Sequence, residues 1–196
     1  MPRAGGTTRD HLIESTRELL WERGYAATSP RAILDRAGAG QGSMYHHFAG
    51  KEDLAAAAMR DTAQQLLARA EADLAGDGSA FERLKAYLLR QREVLRGCPV
   101  GRMTGDAEVL GSAVLQHVVA TTFDQLRGHI VAVIRDGVNN DEFDGSVQPA
   151  ELADTVLAVV QGGYVLARAA GDPAPFDRAV RGAVAMLEHI RRKEAP

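Results

Sequence analysis

The string Gln41-Gly42-Ser43-Met44-Tyr45-His46-His47 collects small, polar and aromatic groups where an ordinary solvated helix would carry long acids and bases. Each suits duplex DNA. Gln41 can hydrogen-bond a base edge in the major groove, and Arg31, slightly upstream, can fork onto a guanine. Gly42 has no side chain and lets a backbone come close to a duplex. Ser43 and Tyr45 can donate hydroxyls to phosphates, and the Tyr45 ring can also press on a thymine methyl. His46 and His47 fall on the same outward-facing stretch. Lys51, where the next helix opens, can share one phosphate with free backbone N–H groups. Arg3 and Arg9 add two more cations upstream, for phosphate contacts or a minor groove.

Other chemistries fit the sequence poorly. Adjacent helical residues point in different directions, so His46 and His47 make no metal site, and no third ligand has suitable spacing. Gly38-x-Gly40-x-Gly42 lacks the preceding strand and the lysine of a phosphate loop. Residues 140–151 place Asn140, Glu142, Asp144, Gly145 and Glu151 in partial imitation of a calcium loop, but the first ligand is not aspartate. The expectation there is a solvated loop with no metal. There are no paired carboxylates at catalytic spacing, no HExxH and no dinucleotide fingerprint, so an enzyme is the weaker reading and no cofactor is expected.

The outward-facing groups need elements to hold them. Ser29-Pro30 is a helix start: serine caps, and proline is tolerated at the first helical position. That helix runs to Ala37 and stops at Gly38-Ala39-Gly40, where glycine permits a sharp turn. A second short helix spans about Gln41 to His47. Two short helices joined by such a turn form a helix-turn-helix. Ile33, Ala37, Met44 and Phe48 face inward against a first helix that opens near Thr8 and ends at Gly24. A long helix begins at about Lys51 and breaks at Gly76-Asp77-Gly78. Ser79 with Glu82 starts another, carrying Phe81 through Val94 and Leu95. Further helices follow Gly111, resume at Ala150, and carry Phe176 to Ile190, ending at Arg191, Arg192 and Lys193. The expected fold is all-α, with about nine helices. Residues 1–50 form a three-helix DNA-binding head, and residues 51–196 a helical ligand-binding and dimerisation domain.

Composition agrees. Hydrophobic residues make up 45%, charged residues 25% and aromatics only 5%, which favours helix over sheet. The formal net charge is -3, which argues against indiscriminate coating of nucleic acid. Locally the balance reverses: between residues 23 and 51, Arg23, Arg31, Arg36 and Lys51 oppose only Asp35. The lone Cys98 permits no intrachain disulfide and fits a reducing compartment. There is no apolar signal core and no run approaching a membrane span, so a cytoplasmic location and no membrane partner are expected.

The string Gly42 to Phe48, followed by Lys51-Glu52 and Leu54, resembles the hallmark of the TetR family of transcriptional regulators. Gly24-Tyr25, Thr28, Ile33 and Ala37-Gly38 also fall where that family's pattern places them, so the resemblance covers about residues 8 to 58. It implies that Gln41, Gly42, Tyr45 and Arg31 read bases, while Thr28, Ser29, Ser43, His47 and Lys51 hold phosphates. Ala39-Gly40 depart from the hydrophobic-then-polar pair the family often has there. Through Gly97-Cys98-Pro99-Val100-Gly101 the second half resembles the branch with LmrA-like carboxy-terminal domains. Together these imply a ligand-responsive repressor that binds a palindromic operator in double-stranded DNA and leaves it when a small hydrophobic or amphipathic effector binds. An activator or an architectural DNA-binding protein is the alternative.

Two further expectations concern the second half. A homodimer seam is expected on the last two helices, through Leu152, Val156, Val159 and Gly163 with Phe176, Val180, Val184 and Leu187. An effector pocket is expected among Met103, Leu110, Phe123, Leu126, Ile130, Gln161 and Tyr164. Gly162-Gly163, costly inside a helix, signals close backbone approach or space for a ligand.

Overall fold

A computed structural model of the chain describes residues 7–192, so Arg3 and Lys193 lie outside the described residues. The described residues form α-helices Thr8–Arg23 (α1), Pro30–Ala37 (α2), Gln41–His47 (α3), Lys51–Leu74 (α4), Ala80–Leu89 (α5), Ala107–Gly111 (α6), Ala113–Asn139 (α7), Pro149–Ala170 (α8) and Ala174–His189 (α9). A 3₁₀ turn, Gly101–Gly105, precedes α6. The chain divides into two compact units, Met1–Gln65 with Pro99–Thr122, and Leu66–Cys98 with Phe123–Pro196.

In the first unit the helix ends follow from local chemistry. Thr7, one residue before the expected start, caps α1 in a reciprocal box: Asp10 N–H donates to Thr7 Oγ1 at 3.3 Å, and Thr7 N–H donates to Asp10 Oδ2 at 3.0 Å. Ser29 Oγ accepts from Ala32 N–H at 3.2 Å, with Pro30 in the first helical turn of α2. Gly38 ends α2 in the left-handed region at φ 62°, where a Cβ would be strained. Leu12, Leu19, Ile33, Met44, Phe48 and Leu54 then close a small core between α1, α2, α3 and the start of α4. Arg36 forks onto Glu22 through two 2.8 Å hydrogen bonds, tying α2 to α1. That pairing raises the Arg36 pKa.

The second unit is larger and apolar at its centre. Phe81, Leu84, Tyr87 and Leu88 of α5, Leu126, Ile130 and Ile134 of α7, Val156 and Val160 of α8, and Phe176, Val180 and Leu187 of α9 share one core. The start of α5 is held twice: Ser79 caps Glu82, and Glu142 accepts from Ala80 N–H at 2.7 Å and Phe81 N–H at 3.0 Å. Helix α5 stops at Leu89, short of the expected Val94 and Leu95. Arg92 folds back there and donates to the carbonyls of Leu88 and Arg90, both at 2.9 Å, and of Tyr87. A guanidinium on the last carbonyls of a helix complements its negative end. The calcium-like loop is structural: Glu142 caps α5, and Asp144 accepts from Ser146 N–H at 2.8 Å. No group of His, Cys, Asp or Glu able to hold a metal occurs among the described residues.

Two glycines on α7 separate packing from propensity. A Cβ on Gly137 would lie 2.4 Å from Phe143 Cδ2 and 2.8 Å from Ala80 Cβ, whereas one on Gly128 would meet nothing within 4 Å. Gly137→Ala is therefore expected to destabilise the fold by about 1–3 kcal/mol through overpacking. Gly128→Ala is expected to stabilise by up to about 1 kcal/mol through helix propensity. Thermal melts of the two variants should move in opposite directions.

Against the expectation of no such run, α8 is long and apolar enough to cross a membrane by length and composition alone. Its sequence serves two faces. Ala153, Val156, Leu157, Val160, Gly163 and Ala167 feed the core, while Val165 and Leu166 remain exposed.

Candidate nucleic-acid interface

Helix α3 rests on its inward face. Met44 is fully buried, Phe48 nearly so, and both pack in the core with Ile33 and Leu54. This anchoring leaves Gln41, Gly42, Tyr45, His46 and His47 exposed and Ser43 half-buried. Tyr45 is 56% exposed, large for an aromatic with no role in solvent. A Cβ on Gly42 would meet nothing within 4 Å, so the backbone there is bare on its outer side. The His46 and His47 rings meet edge to face, 4.8 Å between centroids. Arg31 on α2 is 89% exposed and only 3.8 Å from Asp35, a loose pair that leaves its guanidinium accessible.

Other expected contacts are arranged differently. Thr28 is buried and its hydroxyl donates to Gly24 C=O at 2.6 Å, closing the turn between α1 and α2. Its hydroxyl proton is therefore consumed, and Thr28 shapes the head instead of presenting a group to phosphate. Ser29 Oγ accepts the Ala32 N–H as a cap, which leaves its own O–H to donate outward. Lys51 is half-buried, with Nζ 3.9 Å from the Tyr25 ring centroid and 3.9 Å from Glu108 Oε2. It must leave both to reach a phosphate. Arg9 lies in the first turn of α1, its guanidinium 5.3 Å from the Phe48 ring centroid.

One residue absent from the sequence reading is central to this unit. Asp106 Oδ2 accepts from Tyr25 N–H at 2.7 Å and Ala26 N–H at 2.9 Å, while Oδ1 accepts from Glu108 N–H at 3.1 Å. It caps α6 and holds the α1–α2 turn together. Burial pushes its carboxyl up, but the N–H groups of Ala26, Tyr25, Val109 and Glu108 outweigh burial and hold it below the usual carboxylate value. Burial, followed by the Glu52, Glu108 and Asp106 carboxylates, pushes the Tyr25 phenol up. Asp before Ala107-Glu108 reads as a helix cap in sequence. Its bonds to residues some eighty positions away have no sequence signature.

The residues expected at a dimer seam are largely used within the chain. Val156, Phe176, Val180 and Leu187 are buried in the second unit's core, and Gly163 packs against Phe176, whose Cδ2 would lie 2.9 Å from an added Cβ. Leu152, Val159 and Val184 are half-buried against that core. An amphipathic helix spends its strongest apolar stripe on its own core, so a seam must use what is left over. On α8 and α9 that remainder includes Val165 at 68%, Leu166 at 56% and Met186 at 65% exposure.

The seven expected pocket residues fall in both units. Met103 and Leu110 belong to the first unit and the other five to the second. Met103 lines a cavity of about 10 Å³ with Leu20, Trp21, Met59 and Val118, room for one water at most. Leu126 and Ile130 fill the second core, and Leu110 is 46% exposed. Phe123, Gln161 and Tyr164 are half-buried. The Tyr164 ring meets that of Phe176 at a tilt, 4.8 Å between centroids, and burial raises the Tyr164 pKa to about 12. An open cleft of about 560 Å³ in the second unit is lined by other residues, among them Ser79, Arg83, Glu142 and Arg192.

A short helix displayed on a second short helix, anchored from within and bare without, defines a helix-turn-helix regulator. Comparison with known proteins names the family. Residues 12–58 match the bacterial regulatory proteins of the tetR family, and residues 78–183 match the tetracyclin repressor-like C-terminal domain. The chain belongs to the tetR family, a family of transcriptional regulators and not of enzymes. It is similar to the HTH-type transcriptional repressor KstR2 of Mycolicibacterium smegmatis, 28% identical over 82% of this chain and 77% of that one. The fold is shared with a TetR transcriptional regulator from Chloroflexus aurantiacus, at TM-score 0.85 and 25% identity over 94% of this chain and 96% of that one. It is also shared with reduced Escherichia coli NemR, at TM-score 0.82 and 22% identity over 97% and 100%.

Proposed function

We propose that this protein is a homodimeric repressor that binds a palindromic operator in double-stranded DNA through α3 and releases it when a small hydrophobic or amphipathic effector binds. The observation that carries the reading is the exposed face Gln41, Gly42, Tyr45, His46 and His47 on a helix whose opposite side is locked by Met44 and Phe48. In this reading Gln41, Gly42, Tyr45 and Arg31 meet base edges. Ser29, Ser43, His47 and, once it leaves Glu108, Lys51 hold phosphates. One such head makes few base contacts, and a two-fold pair doubles them. Repression as the sign of regulation is supported by the relatives named as repressors, KstR2 and the NemR of Escherichia coli, 24% identical over 88% of this chain and 90% of that one.

The pairing surface is the outward side of α8 and α9, where Val165, Leu166 and Met186 stand exposed beside Gly162 and Gly182, whose added Cβ atoms would meet nothing within 4 Å. The effector contacts fall to Phe123, Gln161 and Tyr164, which can be reached without dismantling the core that Leu126 and Ile130 fill. An LmrA-like origin for the second half rests on Gly97-Cys98-Pro99-Val100-Gly101 and the helix-rich region that follows. Any effector must bind the DNA-incompetent arrangement more tightly than the competent one, and a hundredfold preference, about 2.7 kcal/mol, suffices for a switch.

Selection of bound duplexes from a random pool tests this reading. The expected product is a two-fold symmetric site. Gln41→Ala should lose preference at one base pair in each half-site, worth about 1–3 kcal/mol of discrimination. Arg31→Ala should lower the slope of log affinity against log salt if it contacts a phosphate, and relax base preference if it contacts guanine. A pool with no enriched sequence would contradict the proposal.

A further inference from the structure

We propose that Asp106 is a positioning residue for DNA recognition: its carboxylate latches the turn that leads into the helix-turn-helix and so fixes the angle at which α3 is presented. The inference rests on the reading of α3 as the DNA-contacting helix and goes beyond it to a residue that touches no nucleic acid.

The geometry is specific to one oxygen. Oδ2 takes both the Tyr25 and the Ala26 N–H, at 2.7 and 2.9 Å, and those two residues lead directly into the Thr28-Ser29 start of α2. The backbone donors of Tyr25 and Ala26, in the turn that follows α1, are satisfied by a charged acceptor, the stronger class of hydrogen bond. Gly24 makes room for it. Its φ of +84° is one that L side chains rarely adopt, and an added Cβ would sit 3.0 Å from Asp106 Oδ2. The other oxygen, Oδ1, takes Glu108 N–H as the cap of α6, so one side chain joins α6 to the reading head.

Neighbouring contacts brace the same joint. Arg102 Nη1 donates to Trp21 C=O at 2.5 Å, at the last turn of α1. Glu108 lies 3.9 Å from Lys51 Nζ, and Ser112 Oγ donates to Glu52 at 2.5 Å, both at the start of α4. The segment from Arg102 to Ser112 thus holds the end of α1, the turn after it, and the helix that follows α3. Asp106 supplies the central tie, the one that reaches the Tyr25 and Ala26 amides of the α1–α2 turn. The head would keep its small core of Leu12, Leu19, Ile33 and Met44 without the tie, because none of those side chains depends on it. What it loses is a fixed orientation.

Asp106→Ser separates the two jobs of the side chain. Serine still caps α6 but is too short to reach the Tyr25 and Ala26 amides. In the free full-length protein, amide exchange at Tyr25 and Ala26 is expected to quicken at least tenfold, with Glu108 and the core amides of α4 unchanged. Affinity for the duplex selected by the wild-type chain is expected to fall about tenfold, with a thermal midpoint close to wild type. Asp106→Asn, which keeps one carbonyl oxygen at full reach, should recover part of the affinity and serves as the second variant if the serine form does not fold. Unchanged exchange at Tyr25 and Ala26, or faster exchange with unchanged affinity in both variants, overturns the proposal. If the wild-type chain selects no duplex, the reading of α3 falls and the positioning role with it, while the exchange data still report whether the latch exists.

Discussion

Gly42→Leu is expected to abolish operator binding in a protein at least as stable as the wild type. Position 42 lies in the first turn of α3, and nothing of this chain comes within 4 Å of a Cβ placed there. Replacing a helical glycine removes an unfavourable backbone entropy worth up to about 1 kcal/mol, so the melting temperature should hold or rise. On the proposed reading of α3, the same space is where backbone meets duplex. A leucine there wedges the helix out of the groove and separates Gln41 and Tyr45 from their partners together. Loss of at least a hundredfold in affinity, about 2.7 kcal/mol, is the expected result in a gel-shift titration. An opposite sign for stability and binding is a signature that core damage cannot produce. A Gly42→Leu protein that binds the selected duplex normally would place the contact surface elsewhere.

The second large effect is expected on α8 and α9. The double variant Leu166→Glu with Met186→Glu should sediment as a monomer at micromolar concentration, where the wild type is expected to sediment as a dimer. Both side chains are more than half exposed within the chain, so their replacement costs the protomer's own core nothing. In a two-fold seam each substitution appears twice, and like charges brought together in a desolvated interface cost several kcal/mol. A palindromic site needs two heads at fixed spacing, so operator affinity should fall at least a hundredfold alongside the loss of dimer. Val156→Ala is the contrasting substitution. Val156 is buried in the chain's own core, and its truncation should lower the melting temperature while leaving the sedimentation coefficient that of a dimer. If the double variant remains dimeric, the seam lies on another surface.

Legibility from sequence followed the range of the interactions. Ser29-Pro30 and Gly38 announced α2 because capping and left-handed turns are decided by neighbours in sequence. The inward set Ile33, Met44 and Phe48 was readable from helical spacing alone. Thr28 was not, since the resemblance assigns it to phosphate while the folded turn brings its hydroxyl onto Gly24 C=O. The early stop of α5 escaped because apolar spacing continues to Val94 and Leu95, whereas the ending depends on Arg92 reaching back to three carbonyls. Apolar stripes on α8 and α9 were legible as stripes but not by destination: a core face and a subunit face have the same periodicity. Phe176 and Gly163 therefore read as seam residues, although they meet each other inside the chain. Asp106 marks the limit, because a carboxylate serving amides some eighty residues away leaves only an ordinary cap in the sequence.

Hydrogen exchange of the full-length protein, free and bound to the duplex it selects, tests whether α3 is the helix that meets DNA. New protection is expected in residues 41–47 and at Ser29 and Arg31, with the core of the second unit little changed. Protection that spares 41–47 and gathers elsewhere would contradict it.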